Sequence, residues 1–310
     1  MPFDVVASVP TAAPAAALVR AIRALLVPPF TLHEAGESVG DAPALGPIPT
    51  AQGLLRIVVH AGRGGRLGHV LNALAPVVGP ERITVVALRR DAKSVETVIA
   101  GLPSRPQVLL QPRDRGSVAA VLLAAYAIRR GDPDATLVSI PAGRGLIPGP
   151  MFVHVVQETG RFVNRHPQWI VLLGERSHRR TPGSWIVPDA VLDCLSIAPV
   201  RRVVVLHRGA RPPPQGVGVA LRATGVLVAK ATRLVDRARR LLPGVHSALL
   251  DAVPFIGGEA EMRALHRAYA TIPRRDFAVA MLEPSVNDLA VAEPTDATWL
   301  RVLQLVRGTR

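Results

Sequence analysis

The stretch Leu54–Gly68, LLRIVVHAGRGGRLG, joins a short apolar run rich in β-branched residues to a glycine-rich segment. Short apolar runs bounded by glycine are typical of strands that are buried on both faces of a parallel sheet. The run therefore predicts a first strand over Leu54–Ala61 that ends at a glycine turn. Comparable runs follow at Ile83–Leu88, Gln107–Pro112, Ala135–Ala142, Trp169–Glu175 and Val200–His207.

Helical stretches lie in several of the gaps between these runs, and a final strand leads into a further helix. Regular alternation of strands and helices predicts an α/β fold, with a doubly wound, mostly parallel sheet flanked by helices. Residues 1–53 are rich in Ala, Pro and Gly and are predicted to be a tail or linker, which leaves 54–310 as the domain. The helices are predicted at His69–Val78, Ser117–Arg130, Pro150–Arg165 and Thr232–Leu242, and the final strand is predicted at Gly225–Ala231.

The composition favours a cytoplasmic protein without a membrane partner. No uncharged apolar run approaches the roughly 18 residues that a bilayer crossing requires. Thr11–Val27 is apolar but contains Arg20 and Arg23, which argues against an export signal. The single cysteine, Cys194, excludes an intrachain disulfide, and its apolar setting predicts a buried structural thiol.

The chain is strongly basic, with a formal net charge of +14. Only Lys93 and Lys230 are lysines among 37 basic residues, so 37 − 2 leaves 35 arginines, which suggests a GC-rich genome. The remaining basicity would attract phosphate-bearing ligands, acidic partners or nucleic acid. Aromatic residues are only 4% of the chain, which leaves few stacking platforms and argues against nucleic acid as a partner.

The glycine-rich segment after the first strand is a candidate phosphate-binding loop. The amides of Gly62, Gly64 and Gly65 can turn towards an anion without Cβ clashes, and a helix N-terminus follows. Arg63 and Arg66 would add charge-assisted hydrogen bonds. A plain tight turn explains these glycines equally well. The segment matches neither the Walker loop nor the dinucleotide-binding motif.

The segment Val59–Leu67, VHAGRGGRL, lies without a gap over the motif Leu-Ala-Gly-Gly-x-Gly-Thr-Arg-Leu. It resembles the signature of the sugar-1-phosphate nucleotidyltransferases, and the closest branch looks like the mannose-1-phosphate guanylyltransferases. Further segments similar to that branch recur in the same order, at Gln111–Ser117, Asp132–Ala142, Trp185–Pro188, Asp276–Val279 and Asp296–Trp299. The resemblance implies a Rossmann-like nucleotidyltransferase fold from about Leu54 to the C-terminus.

The family joins a nucleoside triphosphate to a sugar 1-phosphate, using Mg²⁺ held by two carboxylates. By the resemblance these carboxylates fall on Gly143 and Arg301, which cannot bind Mg²⁺. The lysine-bearing loop of the family is missing between Gly68 and Arg82. The expectation is therefore no metal cofactor, with Mg²⁺ required only if an activity persists.

The resemblance also suggests other site residues. Arg113 and Arg115 are possible neighbours of a bound nucleotide, and Arg66 is the catalytic candidate if the chain is active. Asp276 and Glu283 are candidate remnants of the sugar side, although Asp276 is equally plausible as a helix cap. His60 is expected to be a hydrogen-bonded structural histidine rather than a phosphate ligand.

Three hypotheses follow from the sequence. The first is a guanylyltransferase-like pseudoenzyme that has lost metal-dependent catalysis. Such a protein would bind a nucleotide or a sugar phosphate such as GDP-mannose weakly, or it would act as a regulatory partner of another protein or of its own copies. The second is an active nucleotidyltransferase with relocated acidic residues, Asp114 or Asp276. The third is nucleic-acid binding through the arginine-rich surface.

Overall fold

A computed structural model describes residues 55–62, 66–103, 105–143, 146–148, 151–176, 183–196, 198–213, 219–294 and 299–301. The predicted tail, Gly64, Gly65 and Asp296 lie outside the described residues. The strands are β1 (Leu55–His60), β2 (Ile83–Leu88), β3 (Gln107–Gln111), β4 (Thr136–Pro141), β5 (Leu146–Pro148), β6 (Ile170–Glu175), β7 (Gly183–Cys194), β8 (Pro199–Gly209), β9 (Leu221–Lys230), β10 (Leu289–Ala292) and β11 (Trp299–Arg301). The helices are α1 (Leu67–Val78), α2 (Ala92–Ile99), α3 (Gly116–Gly131), α4 (Phe152–Arg165), α5 (Ala231–Leu241), α6 (Pro243–Ala252) and α7 (Glu261–Thr271), and a π-helical turn spans Ala278–Leu282.

The main sheet has the strand order β3-β2-β1-β4-β9-β6-β10-β8-β7. Its first four strands are parallel, and their crossovers contain helices α1, α2 and α3. The carboxyl ends of these four strands therefore lie along one edge of the sheet. This half has the doubly wound form that the alternating pattern predicts.

The second half of the sheet is different, and the prediction of a mostly parallel sheet is wrong there. Strand β9 runs antiparallel to both β4 and β6, and β8 runs antiparallel to β7 and β10. Strand β7 also pairs with β9, through Trp185 opposite Arg222 and Ile186 opposite Leu221. These pairings close a ring of five strands, β9-β6-β10-β8-β7.

Helices cover both faces of the sheet because consecutive strand residues point to opposite sides. Val58 of β1 belongs to the apolar cluster that includes residues of α3, α5, α6 and α7. Its neighbours Ile57 and Val59 belong to a second cluster, with residues of α1, α2 and α4. The three-layer arrangement predicted from the sequence is confirmed. None of the helices in the described part of the chain is long and apolar enough to cross a membrane.

Strand β7 gives a further correction. Cys194 is exposed at the end of this strand, so the prediction of a buried structural thiol is wrong. The start of the strand is buried, and Trp185 there is 1% exposed and donates its indole N–H to the carbonyl oxygen of Gly209, 3.2 Å away. The long strand leaves the core before it reaches the cysteine, with Val191 and Leu192 also exposed.

Candidate functional site

A cleft of about 590 Å³ opens at the carboxyl ends of β1, β2, β3 and β4. One side, here named the strand-end wall, is formed by these strand ends and by the start of α3. The opposite side, here named the ring-side wall, is formed by residues of β6, β7, β8 and β9 and by the segment 274–282. Crevices outside the carboxyl ends of parallel strands are the usual ligand sites of open α/β sheets.

Two chain segments meet next to the strand-end wall, where Gly62 lines the cleft but Arg66 and Gly143 are not part of the described lining. A Cβ atom on Gly62 would lie only 3.1 Å from the Cα atom of Gly143, so the close approach of these backbones favours glycine at position 62. The Arg66 guanidinium donates a hydrogen bond to the carbonyl oxygen of Gly143, 3.2 Å away. The two described residues that flank the candidate phosphate loop, Gly62 and Arg66, therefore both approach the residue that follows β4.

His60 lies at the end of β1 and forms part of the cleft lining. Its Nε2 atom is 2.8 Å from the hydroxyl oxygen of Ser139 on β4. Its Nδ1 atom is buried and has no hydrogen-bond partner among the described residues. Burial lowers the pKa of His60 to about 4, because desolvation disfavours the charged imidazolium. The ring is therefore neutral at physiological pH.

Asp114 lies where β3 leads into α3. Its carboxylate accepts a hydrogen bond from the backbone N–H of Gly116 at 2.9 Å and pairs with Arg274 at 3.4 Å. The Gly116 hydrogen bond is the main reason why the pKa of Asp114 lies below its ordinary value; partial burial opposes it, and Arg274 and Arg90 assist it. The carboxylate is therefore ionised and already has hydrogen-bond and ion-pair partners.

Asp276 lies on the ring-side wall and acts as a local cap. It accepts hydrogen bonds from the backbone N–H groups of Ala278 at 3.0 Å and Val279 at 3.3 Å. It also pairs with Arg208 at 2.7 Å. Arg208 pairs in addition with Glu283, at 3.1 Å, although without hydrogen-bond geometry at that oxygen. The capping role foreseen for Asp276 is thus present, and one arginine pairs with both candidate sugar-side acids.

No protein-family model matches the chain, and no curated protein matches it either. Solved structures do match. A mannose-1-phosphate geranyltransferase from Thermus thermophilus superposes with a TM-score of 0.58 at 20% identity, over 77% of this chain and 74% of that one. A mannose-6-phosphate isomerase from Helicobacter pylori superposes with a TM-score of 0.59 at 12% identity, over 80% of this chain and 99% of that one. A UDP-glucose pyrophosphorylase complexed with UDP-glucose superposes with a TM-score of 0.42 at 10% identity, over 82% of this chain and 97% of that one.

The chain shares its fold with the mannose-1-phosphate geranyltransferase and the mannose-6-phosphate isomerase. At these identities the similarity is one of fold alone, and it agrees with the Rossmann-like architecture that the sequence resemblance implies. The closed five-strand ring is the part of this fold that the sequence pattern did not reveal.

The two positions that the resemblance assigns to metal ligands are Gly143, which follows β4, and Arg301, which lies on β11. Strand β11 pairs with β5, with Arg301 opposite Leu146, three residues after Gly143. Glycine offers no side-chain ligand, and a guanidinium repels a cation. Asp114 and Asp276 are already engaged with arginines. Among the described residues there is no group of three or more His, Cys, Asp or Glu that could hold a metal ion.

The structure also describes the two arginines that were predicted to lie near a bound nucleotide, Arg113 and Arg115. Arg113 is exposed and is not part of the described cleft lining. Arg115 donates from Nε to the carbonyl oxygen of Tyr269 at 2.9 Å and from Nη2 to that of Ala270 at 3.5 Å, at the C-terminal end of α7. Its described hydrogen bonds therefore tie α7 to the start of α3, and nucleotide contact by either arginine stays a prediction.

Sequence reasoning missed three charged residues of the cleft: Arg90, Asp91 and Arg274. The first two directly follow β2, so the rule that ligands bind beyond the carboxyl ends of parallel strands could have selected them. Arg274 precedes Asp276 in a segment that the strand pattern does not mark. Its place in the cleft depends on the way this segment crosses the start of α3.

Proposed function

We propose that this cleft binds a nucleotide or a sugar phosphate without a divalent cation, and that the domain no longer catalyses nucleotidyl transfer. The observation that carries the proposal is the contact between Gly62 and Gly143. This contact favours glycine at position 62, at the end of the first strand, while position 143 has no side chain with which to hold a metal.

Several features support anion binding on the strand-end wall. The helix α1 begins at Leu67, immediately after the glycine-rich segment, so its N-terminal end adds positive potential there. Arg66 keeps further guanidinium donors besides the one that contacts Gly143. Arg90 and Arg274 also line the cleft, where they pair with Asp91 at 3.9 Å and with Asp114 at 3.4 Å.

The charges around the cleft argue against a metal-assisted reaction. In nucleotidyl transfer, developing charge on the phosphate is stabilised by cations and by fixed donors. Here the acids that could recruit a cation are paired with arginines, Asp114 with Arg274 and Asp276 with Arg208. Binding of the ligand through arginines and backbone amides remains compatible with this arrangement.

Calorimetric titration of GTP and GDP-mannose, each with Mg²⁺ and with EDTA, tests the proposal. We expect weak binding whose affinity is the same in both conditions. Arg66→Ala should weaken it roughly tenfold, as expected for loss of a charged hydrogen bond. The matched control is Arg240→Ala, because Arg240 is an exposed arginine on α5 that is not part of the cleft lining.

Tight binding that requires Mg²⁺, or pyrophosphate release from a nucleoside triphosphate and a sugar 1-phosphate, would contradict the proposal and favour an active enzyme with relocated ligands. A pair of variants sharpens the test. A Cβ atom on Gly143 would lie 3.7 Å from Gly62, an ordinary contact, so Gly143→Asp and Gly143→Asn should both fold. Only the aspartate should weaken nucleotide binding in EDTA, because only it adds negative charge.

A further inference from the structure

The last residue of strand β1, His60, is a polar residue that follows three apolar ones. Its three predecessors, Ile57, Val58 and Val59, are fully buried. Because side chains alternate along a strand, His60 points to the same face as Val58, which is the face covered by α3. Ser139 is opposite Val58 in the register of β1 and β4, and its hydroxyl contacts the His60 ring.

The two ring nitrogens of His60 have different surroundings. Nε2 is 2.8 Å from the Ser139 hydroxyl oxygen, whereas Nδ1 is buried with no partner among the described residues. A buried polar atom without a hydrogen bond is rare, and it is explained by water, by a ligand or by a role in binding. Both His60 and Ser139 line the cleft, although the Nδ1 atom itself is buried.

The tautomer decides what the free nitrogen can bind. A serine hydroxyl can donate to Nε2, and a neutral imidazole must then carry its proton on Nδ1. A phosphate dianion offers only acceptor oxygens, so Nδ1–H is the form that suits it. The single proton of the neutral ring agrees with the pKa of His60, which burial lowers to about 4.

We propose that the Nδ1–H group of His60 donates a hydrogen bond to a phosphate oxygen of the ligand, with Ser139 holding the ring in this tautomer. The inference rests on the proposed function and deepens it. It places one phosphate of the ligand at the end of β1, beside the glycine-rich segment that follows directly in the chain. It also differs from the sequence expectation of a purely structural histidine at this position.

Nitrogen-15 NMR of the imidazole rings tests the tautomer and the contact. His60→Phe identifies the His60 signals by their loss. Inorganic phosphate, pyrophosphate and GTP are added in separate titrations, so that a phosphate group alone is distinguished from a whole nucleotide. We expect a Nδ1–H tautomer, a change in the His60 signals with each ligand that binds, and a higher pKa of His60 in the complex, because a nearby anion favours the imidazolium.

Affinity measurements on variants complete the test. His60→Phe should weaken binding of GTP at least fivefold, and Ser139→Ala should weaken it less and mix the tautomers. His266→Phe is the matched control, because His266 is exposed on α7 and does not line the cleft. If His60→Phe fails to fold, Ser139→Ala still reports the contact through its NMR signals.

The outcomes separate this inference from the proposed function. If GTP binds but the His60 signals do not move and His60→Phe binds equally well, the histidine contact is wrong while the proposed function stands. The same holds if the ring carries its proton on Nε2. If none of the ligands binds the wild-type chain, the proposed function fails and this inference fails with it.

Discussion

The two walls of the cleft differ in what their polar groups already bind. On the ring-side wall Asp276 is paired with Arg208, and the segment that follows is held by a buried arginine, Arg237, although next to this wall the buried Oε1 atom of Glu283 has no hydrogen-bond partner among the described residues. On the strand-end wall a buried nitrogen of His60 has no partner among the described residues. The difference suggests that the ring-side wall is a self-contained structural unit, whereas the strand-end wall keeps binding capacity for a ligand.

The largest expected effect concerns Arg237, which is 2% exposed on α5. It donates to the carbonyl oxygens of Met281, Leu282 and Ser285 and pairs with Asp288, so it fastens the π-helical turn beside the cleft. Arg237→Ala leaves these acceptors buried without their hydrogen-bond donor, and it should therefore lower the free energy of unfolding by about 3–5 kcal/mol. Urea denaturation measures the loss.

Arg239→Ala is the control on the same helix. Its ion pair with Asp236, at 3.4 Å, is exposed, and its loss should change the stability by less than about 1 kcal/mol. Equal, small losses in both variants would mean that the buried arginine does not stabilise the ring-side wall, and the proposed contrast between the walls would disappear.

The second prediction concerns His60 and pH. The unfolded chain accepts a proton on this histidine near its ordinary pKa of 6.5, whereas the folded chain keeps the ring neutral down to about pH 4. The unfolded state therefore binds more protons between these values, and stability must fall as the pH falls. At about 1.4 kcal/mol per pH unit, the whole contribution is roughly 3 kcal/mol.

Comparing the wild type with His60→Phe isolates this contribution, because the other titrating groups are common to both chains. The difference in the free energy of unfolding should shift in favour of the variant as the pH is lowered from about 7 to about 4. A difference that stays constant over this range would show that the His60 ring is not desolvated, and would remove the contrast at the strand-end wall.

The same two regions explain how far the sequence could predict the fold. Strands β1 to β4 are short apolar runs separated by crossover connections, and local periodicity marked them to within a residue or two. Strand β7 runs over 12 residues, Gly183–Cys194, and its pattern changes along its length, from the buried Trp185 near its start to the exposed Cys194 at its end. The pairing of β7 with β9 is a long-range contact that no local pattern contains.

The candidate site was predicted in a similarly uneven way. Gly62 and Arg66 follow a marked strand, and the structure places them beside Gly143. Arg115 could not be recognised as a helix-capping residue, because its acceptors lie 154 and 155 residues further along the chain. The free nitrogen of His60 depends on the neighbouring strand and on burial, which residue identity alone does not reveal.

The third prediction tests the junction of the two walls at Gly116. This residue has φ = +79°, and a Cβ atom there would lie 2.3 Å from the carbonyl oxygen of Arg275. Gly116→Ala should therefore lower the free energy of unfolding by roughly 1–3 kcal/mol or more. Gly131→Ala is the matched control at the other end of α3, since nothing lies within 4 Å of its Cβ position. Equal effects on thermal unfolding would indicate that the walls do not meet closely at Gly116.

The smallest expected effect is the most direct test of the ring-side wall as a structural unit. Arg208 is 50% exposed, so the loss of its ion pairs in Arg208→Ala should change the free energy of unfolding by less than about 1 kcal/mol.

The variant also releases Asp276 and Glu283 as uncompensated negative charges, and Asp276 faces the cleft. GTP affinity in EDTA should therefore fall modestly, by about two- to threefold at low salt, and the loss should shrink as salt screens the charges. Arg208→Ala combined with Asp276→Asn should recover most of the affinity. If the single variant instead abolishes binding and the double variant does not restore it, Arg208 contacts the ligand directly, and the ring-side wall takes part in recognition.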